Sequence, residues 1–149
     1  MEEPVEKGWR RVKVTYDTGA GASVANKKTF PCKVRPSDHA KRGIHYVDAG
    51  GGKIENEGEM EVLGETEEFQ KRQVVFQMAE VVKPLYCATE SIPAGFRTII
   101  DDEDSGGCYM EHKATGEKTK LEVEDGVLVF YLWVWEGDKA EQAAKEGDK

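Results

Sequence analysis

The residues Asp17-Thr18-Gly19 combine a carboxylate, a hydroxyl and a permissive backbone position directly after a segment of alternating apolar and polar residues. The alternation predicts a half-buried strand over 9–16, so Asp17 would stand at a strand end on a turn of small residues. A carboxylate held rigidly in this way can act as a general acid or base. The plainer interpretation is an Asx turn, in which the aspartate only hydrogen-bonds its own backbone.

A second run of the same type, Asp104-Ser105-Gly106, raises the alternative of two carboxylate loops in one chain. The residues that lead into it, Asp101-Asp102-Glu103, are acidic, so no apolar strand would position it. Each half of the chain would also be smaller than a usual domain of about 100–150 residues. We therefore interpret 104–106 as an acidic hairpin turn and Asp17 as the candidate catalytic acid.

The spacing of the other reactive side chains predicts no metal site and no cofactor. His39, His45 and His112 are scattered among polar residues, and no spacing brings two of them onto one face as metal ligands. Ser23 and Cys32 show no convergent histidine and orienting group, which a nucleophilic serine or cysteine requires. We expect both to be loop residues.

Short apolar runs separated by turn residues recur about every ten positions, which predicts a mostly-β fold. The chain of 149 residues is long enough for one domain. Gly50-Gly51-Gly52 would form a hairpin tip, since this run lacks the Gly-Lys-Ser/Thr ending of a phosphate loop. One short helix is expected within 84–92, stopped by Pro93 and Gly95. The predicted strands cover 9–16, 44–47, 54–64, 72–78, 96–100, 108–113, 118–123 and 127–135.

The most apolar run of the chain is 127–135. Nine residues without alternation predict a strand that is covered on both faces or docked against a partner. Trp133 and Trp135 would share one face of this strand, in the core or in an interface. The polar composition of 136–149 predicts a disordered or loosely helical tail, and 1–8 is expected to be a flexible N-terminus.

The composition limits the classes of binding partner and the cellular compartment that we expect for the chain. Acidic residues number 29 against 21 basic residues, for a net charge of -8, so the surface repels phosphate backbones and nucleic-acid binding is not expected. The chain contains no apolar stretch of about 18 residues, so we expect no membrane span. Residues 1–7 do not resemble a signal peptide. Three widely spaced cysteines favour thiols over a disulfide framework and therefore a reducing, cytoplasmic location.

From about residue 12 to about 100, the chain resembles the retropepsin-like aspartic proteases, especially the protease segment of copia-type long-terminal-repeat retrotransposon polyproteins. The specific motif is the strand that enters Asp17-Thr18-Gly19-Ala20, and the rest of the resemblance is order and spacing. It continues through the glycine hairpin at 50–52, the strand at 74–76, the approach to a short helix at 81–86, and residues 94–100. The stretches 111–118 and 126–134 also look like sequence that follows the protease core in some such polyproteins.

The resemblance implies a retropepsin-like closed barrel with a Gly-rich flap, one short helix and extra C-terminal β-hairpins. The core would span about 12–100, with a β extension over 101–135. One Asp loop per chain implies a homodimer that hydrolyses peptide bonds without a cofactor, as in polyprotein processing. The implied roles are Asp17 as catalytic carboxylate, Thr18 as a brace to the twin loop, Gly19 and Ala20 in the substrate groove, Gly50, Gly51, Gly52, Lys53 and Ile54 as the flap, and Leu85, Tyr86 and Cys87 behind the catalytic loop.

Two departures from the family pattern keep other functions open. Cys87 follows Leu85-Tyr86 where retropepsins usually have glycine, and Gly21-Ala22-Ser23 lacks the histidine common in copia-type chains. The alternative function is a catalytically silent retropepsin-like module that dimerises or binds peptides. A third interpretation is an unrelated acidic β-domain in which Asp17 only caps a turn.

Overall fold

Strands make up most of the described part of the chain, which in this computed structural model comprises residues 5–6, 8–30, 32, 34–43, 45–47 and 50–137. This part also contains one helical turn, α1 (Asp38–Lys41), and 3-10 turns at Ala88–Ser91 and Glu103–Ser105. The mostly-β prediction is therefore confirmed. The strands are β1 (Val5–Glu6), β2 (Trp9–Asp17), β3 (Val24–Ala25), β4 (His45–Val47), β5 (Lys53–Glu55), β6 (Gly58–Thr66), β7 (Lys71–Met78), β8 (Leu85–Cys87), β9 (Phe96–Ile99), β10 (Cys108–His112), β11 (Lys118–Glu124) and β12 (Val127–Trp135).

Six of these strands close into a ring. The order around the ring is β2, β8, β3, β7, β6 and β12, and β12 pairs again with β2. The β2–β8 and β3–β7 pairs are parallel, whereas the other four pairs are antiparallel. From β12 the sheet continues outward through β11 and β10 to β9, and β1 lies on the edge of β2.

Apolar residues at alternate positions along the strands fill the interior of the ring. On β2, Val12 and Val14 are fully buried and Tyr16 is buried, whereas Lys13 between them is exposed. The antiparallel register places Leu132 opposite Val12, so the inward faces of β2 and β12 meet in one core. The period of two seen in the sequence thus corresponds to one face in the core and one face outside it.

Strand β12 is not covered on both faces, which was one of its two predicted environments. Its neighbours are β2 on one edge and β6 and β11 on the other, so its backbone is covered, but its burial alternates after Phe130. Leu132 and Val134 are buried, whereas Trp135 is half exposed and packs edge-on against Trp9 with ring centroids 5.4 Å apart. Both edges of β12 are hydrogen-bonded to neighbouring strands, so it is a central strand of the sheet. Only one of its faces lies in the core.

The boundary between a core at 12–100 and an extension at 101–135 is also different in the structure. Because β12 lies between β2 and β6, residues 127–135 complete the ring, and only 96–124 form the outer β9–β10–β11 sheet. The predicted hairpin at 108–123 is present as β10 and β11. At the N-terminus, Val5–Glu6 pairs with Trp9 and Arg10, although 1–8 was expected to be flexible.

Two local predictions differ in their boundaries. The segment expected to hold a helix from 84 begins instead with β8, and its helical part is a single 3-10 turn, because Leu85–Cys87 hydrogen-bonds alongside the end of β2. The strand expected over 54–64 is split into β5 and β6 around Asn56, whose side chain accepts a hydrogen bond from the backbone of Gly58 (2.8 Å). Within the described residues, no helix is long and apolar enough to cross a membrane. The tail prediction for 138–149 lies outside the described residues.

Candidate active site

Asp17 is the last residue of β2, and the strand dictates the direction of its side chain. Tyr16, one residue earlier, is buried in the core, so the pleat turns Asp17 away from the core. The backbone N–H of Gly19 donates to Asp17 Oδ1 at 2.8 Å, which orients the half-buried carboxylate. This is the Asx-type turn expected from the plainer interpretation, and here it stands at the edge of a cleft.

The cleft beside Asp17 has a volume of about 880 Å³. The small-residue turn Gly19–Ala22 lines it and leaves room for a chain to approach the carboxylate. His45 and Val47 of β4 and Ile54 of β5 also line it, and these strands pair with each other in a separate two-stranded sheet. The full lining comprises Asp17, Gly19, Ala20, Gly21, Ala22, Val24, His45, Val47, Ile54, Glu80, Val81, Val82 and Leu85.

The predicted flap residues divide into two groups. Ile54 on β5 lines the cleft, together with His45 and Val47 on β4, which the sequence did not single out. Gly50, Gly51, Gly52 and Lys53 are exposed and do not line it. Gly51 has a positive φ of 87°, which explains a glycine at the tip, since other residues adopt this conformation at a cost.

A hydrogen-bond network ties the turn after Asp17 to the element behind it. In the parallel register Asp17 lies opposite Cys87, and the Cys87 thiol donates to the carbonyl oxygen of Ala20 at 3.0 Å. The backbone N–H of Cys87 donates to Ser23 Oγ at 2.9 Å, and Ser23 Oγ donates to Glu90 Oε2 at 2.7 Å. Glu90 Oε1 also accepts the backbone N–H of Ser23 at 3.0 Å.

Ser23 lies in the loop between β2 and β3, as expected, and its side chain is fully buried at the centre of this network. Neither Ser23 nor Glu90 was identified as part of the site from the sequence. Their contact joins positions separated by 67 residues and follows no local spacing rule, so only the folded chain reveals it.

Aromatic packing supports the site from inside the ring. The ring of Tyr86 stacks on Tyr16 at 5.8 Å and meets Phe130 edge-on at 5.7 Å. Burial raises the pKa of Tyr86 far above the ordinary value of a tyrosine, because the phenolate would lose its hydration. Of the residues predicted to lie behind the loop, Tyr86 is thus a core residue, Cys87 contacts the turn, and Leu85 reaches the cleft.

Thr18 lies on a different side of the turn from the cleft. It lines a depression of about 400 Å³ together with Phe96, Thr98 and other residues of 88–100. Ile92 and Ile100 in the same depression are 65% and 64% exposed. The surface next to Thr18 therefore presents apolar side chains to the solvent.

The alternative loop at 104–106 occupies an exposed position. Glu103–Ser105 forms a 3-10 turn between β9 and β10, with Gly106 in the left-handed region at a φ of 110°. Asp104 does not line the Asp17 cleft. Throughout the described ranges, no group of three His, Cys, Asp or Glu side chains is arranged to hold a metal ion.

No protein-family model, no curated protein and no solved structure matches this chain.

Proposed function

We propose that the chain is a retropepsin-like aspartic endopeptidase whose active site forms between two copies. The observation that carries the proposal is the position of Asp17 at the end of a core strand. Its carboxylate is oriented by the N–H of Gly19 and lies beside a cleft of about 880 Å³ that residues of the β4–β5 pair also line. A cleft of this kind can hold an extended peptide next to the carboxylate.

The chemistry needs a second carboxylate. Two aspartates about 3 Å apart do not both ionise readily, so they share one proton. The ionised group then activates a water molecule, while the protonated group donates to the peptide carbonyl. The resulting pH dependence belongs to the pair and not to either residue alone. Among the described residues that line the cleft, Asp17 is the one aspartate and Glu80 is the one other carboxylate. A second copy of the chain would supply an aspartate from the same turn as the mate of Asp17.

The surface next to Thr18 supports a dimer of this geometry. Ile92 and Ile100 are exposed there, and among the described strands β9 has a hydrogen-bonded neighbour only in β10. Because both isoleucines are about two thirds exposed, burying them would contribute about 1–2 kcal/mol per side chain. Because Thr18 lines the same depression, a second copy bound on this surface would bring the two Asp17 turns towards each other.

The test is peptide cleavage by the Asp17→Asn variant and by its mixtures with the unaltered chain. We expect the variant to fold normally and to cleave nothing, since an amide cannot take part in the shared proton. In a mixture that exchanges subunits, the variant should also inactivate its partners. At a fixed amount of unaltered chain, an equal amount of the variant should lower the rate to about half, and a ninefold excess to about one tenth.

Asp104→Asn is the matched control, because it makes the same substitution in the exposed turn that resembles the Asp17 loop. This variant should retain the rate of the unaltered chain and should not inhibit it in mixtures. Cleavage by Asp17→Asn would refute the assignment of the catalytic carboxylate. Loss of activity without inhibition in mixtures would refute the shared site. Dimerisation and peptide binding with no turnover by the unaltered chain would support the silent module instead.

A further inference from the structure

A second cavity adjoins the candidate active site and differs from it in charge. It has a volume of about 410 Å³, and both cavities are lined by Val81 and Val82. Val82 is fully exposed, so it forms an apolar ridge between the two. We name this cavity the basic groove, and its lining residues are Arg10, Lys13, Asn26, Lys28, Thr29, Val81, Val82, Lys83 and Pro84.

The basic groove carries positive charge that is only partly balanced by neighbouring carboxylates. Arg10 pairs with Glu136 at 2.8 Å and Lys13 lies 3.7 Å from Glu124, so these two cations have partners. Lys28 and Lys83 are exposed, and neither has a carboxylate within ion-pair distance in the described part of the chain. Two unbalanced cations in one groove are notable because the chain as a whole carries a net charge of -8.

The geometry of β2 relates the basic groove to Asp17. Lys13 lies four positions before Asp17 on the same outward face of the strand, a separation of about 13 Å at ~3.3 Å per residue. Between them, Thr15 is covered by the segment at Pro84, whose carbonyl oxygen accepts the Thr15 N–H at 3.1 Å. An extended peptide spans the same distance in about four residues.

We propose, on the basis of the proposed function, that a substrate continues from the Asp17 cleft over Val82 into the basic groove, which selects peptides with an acidic residue about four positions from the cleaved bond. Close to the bond, Glu80 and Asp17 line the cleft and would repel a further carboxylate. Beyond the ridge, Lys28 and Lys83 line the same groove as Lys13, which lies about 13 Å from Asp17 along β2, and these two cations would attract a carboxylate there. The charge pattern thus favours acidic residues at a distance from the bond and disfavours them beside it.

The first experiment measures binding without cleavage. Fluorescence anisotropy would follow a labelled peptide of about twelve residues, long enough to span both cavities, with one glutamate moved stepwise along an otherwise neutral sequence. Binding to the Asp17→Asn protein should be tightest with the glutamate about four positions from the centre, on one side. The Lys28→Glu/Lys83→Glu variant should bind this peptide with about tenfold lower affinity. Its affinity for the all-neutral peptide should stay within about twofold of the parent's.

Lys41→Glu/Arg42→Glu is the matched control, because it makes the same change in net charge on an exposed turn outside the basic groove. It should bind both peptides as the parent does. Raised salt should weaken the acidic peptide and leave the neutral peptide unchanged. Equal losses in the two charge-reversed variants, or no dependence on the glutamate position, would overturn the proposal. Since binding needs no turnover, these outcomes are independent of whether the unaltered chain cleaves peptides.

Discussion

The substitution Ser23→Ala tests whether the network behind the Asp17 turn holds this part of the fold together. The hydroxyl of Ser23 accepts the N–H of Cys87 at 2.9 Å and donates to Glu90 at 2.7 Å, and the side chain is fully buried. Removing it leaves the Cys87 N–H without its partner in the interior, which costs about 1–3 kcal/mol, and deletes a bond to a charged group that contributes about 1.5–3 kcal/mol. Both losses come from one hydroxyl in one network and are therefore not fully additive, so we expect the free energy of unfolding to fall by about 2–4 kcal/mol.

Urea unfolding, followed by tryptophan fluorescence at one fixed protein concentration, measures this change. A fixed concentration is needed because dimerisation makes the apparent stability depend on it. With a slope of about 2 kcal/mol/M, the midpoint should fall by about 1–2 M. Glu90→Gln keeps one oxygen to accept the Ser23 N–H, and its amide N–H can donate to Ser23 Oγ in place of the hydrogen bond that Glu90 Oε2 accepts. It should therefore cost less, about 1 kcal/mol, since neutral hydrogen bonds replace charged ones.

Ser91→Ala is the matched control for this prediction. Ser91 is also buried, but its hydroxyl donates to the carbonyl of Ala88 within its own 3-10 turn at 2.7 Å. It also lies 3.4 Å from the hydroxyl of Tyr16, which keeps Thr98 as a partner when Ser91 is replaced. Its removal leaves no buried N–H without a partner, and we expect a loss below about 1 kcal/mol. If Ser23→Ala destabilised the protein no more than Ser91→Ala, the reasoning about the network would be refuted.

Two further predictions concern packing and titration. A Cβ at Gly64 would lie 2.7 Å from Leu132 Cγ, so Gly64→Ala should lower the free energy of unfolding in urea by about 1–3 kcal/mol. Gly21→Ala is the control, because the space around its Cβ is open and its packing should not change. Equal effects of the two substitutions would contradict the prediction. Burial and the hydrogen bond to Glu124 raise the pKa of Tyr131 from 10.0 to about 12, so the folded state keeps a proton that the unfolded state loses, and stability should decline as the pH rises from about 10 to about 12. Ultraviolet titration of tyrosinate should show the Tyr131 step at lower pH in Glu124→Gln, and an unmoved step would contradict the role of the carboxylate.

Periodicity in the sequence predicted the strands that surround the site. The alternation over 9–16 places Tyr16 in the core and therefore turns Asp17 away from it, which the structure confirms for β2. The glycine run at 50–52 likewise predicted a hairpin tip, because a tight connection needs backbone conformations that glycine adopts at low cost. These features follow from the local chain, since side-chain period and turn chemistry act over a few residues.

The position of β12 was harder to predict for a physical reason. Its apolar composition indicated burial, but a continuous apolar run does not distinguish a strand covered on both faces from one whose edges are both hydrogen-bonded. In the structure β12 lies between β2 and β6. Its burial alternates near its end, where Leu132 and Val134 are buried and the residues next to them are not. Strand order arises from contacts between distant segments, and a local pattern does not encode it.

The mostly-β class, the strand that carries Asp17 and the turn that follows it are predictable from the amino-acid sequence, because each rests on short-range alternation and residue type. The residues that surround Asp17 are brought together by the fold. It placed His45 and Val81 on the cleft, Ser23 and Glu90 behind the turn, and Lys28 and Lys83 in the basic groove. These groups meet because the ring closes on itself, which brings together segments that lie far apart along the chain.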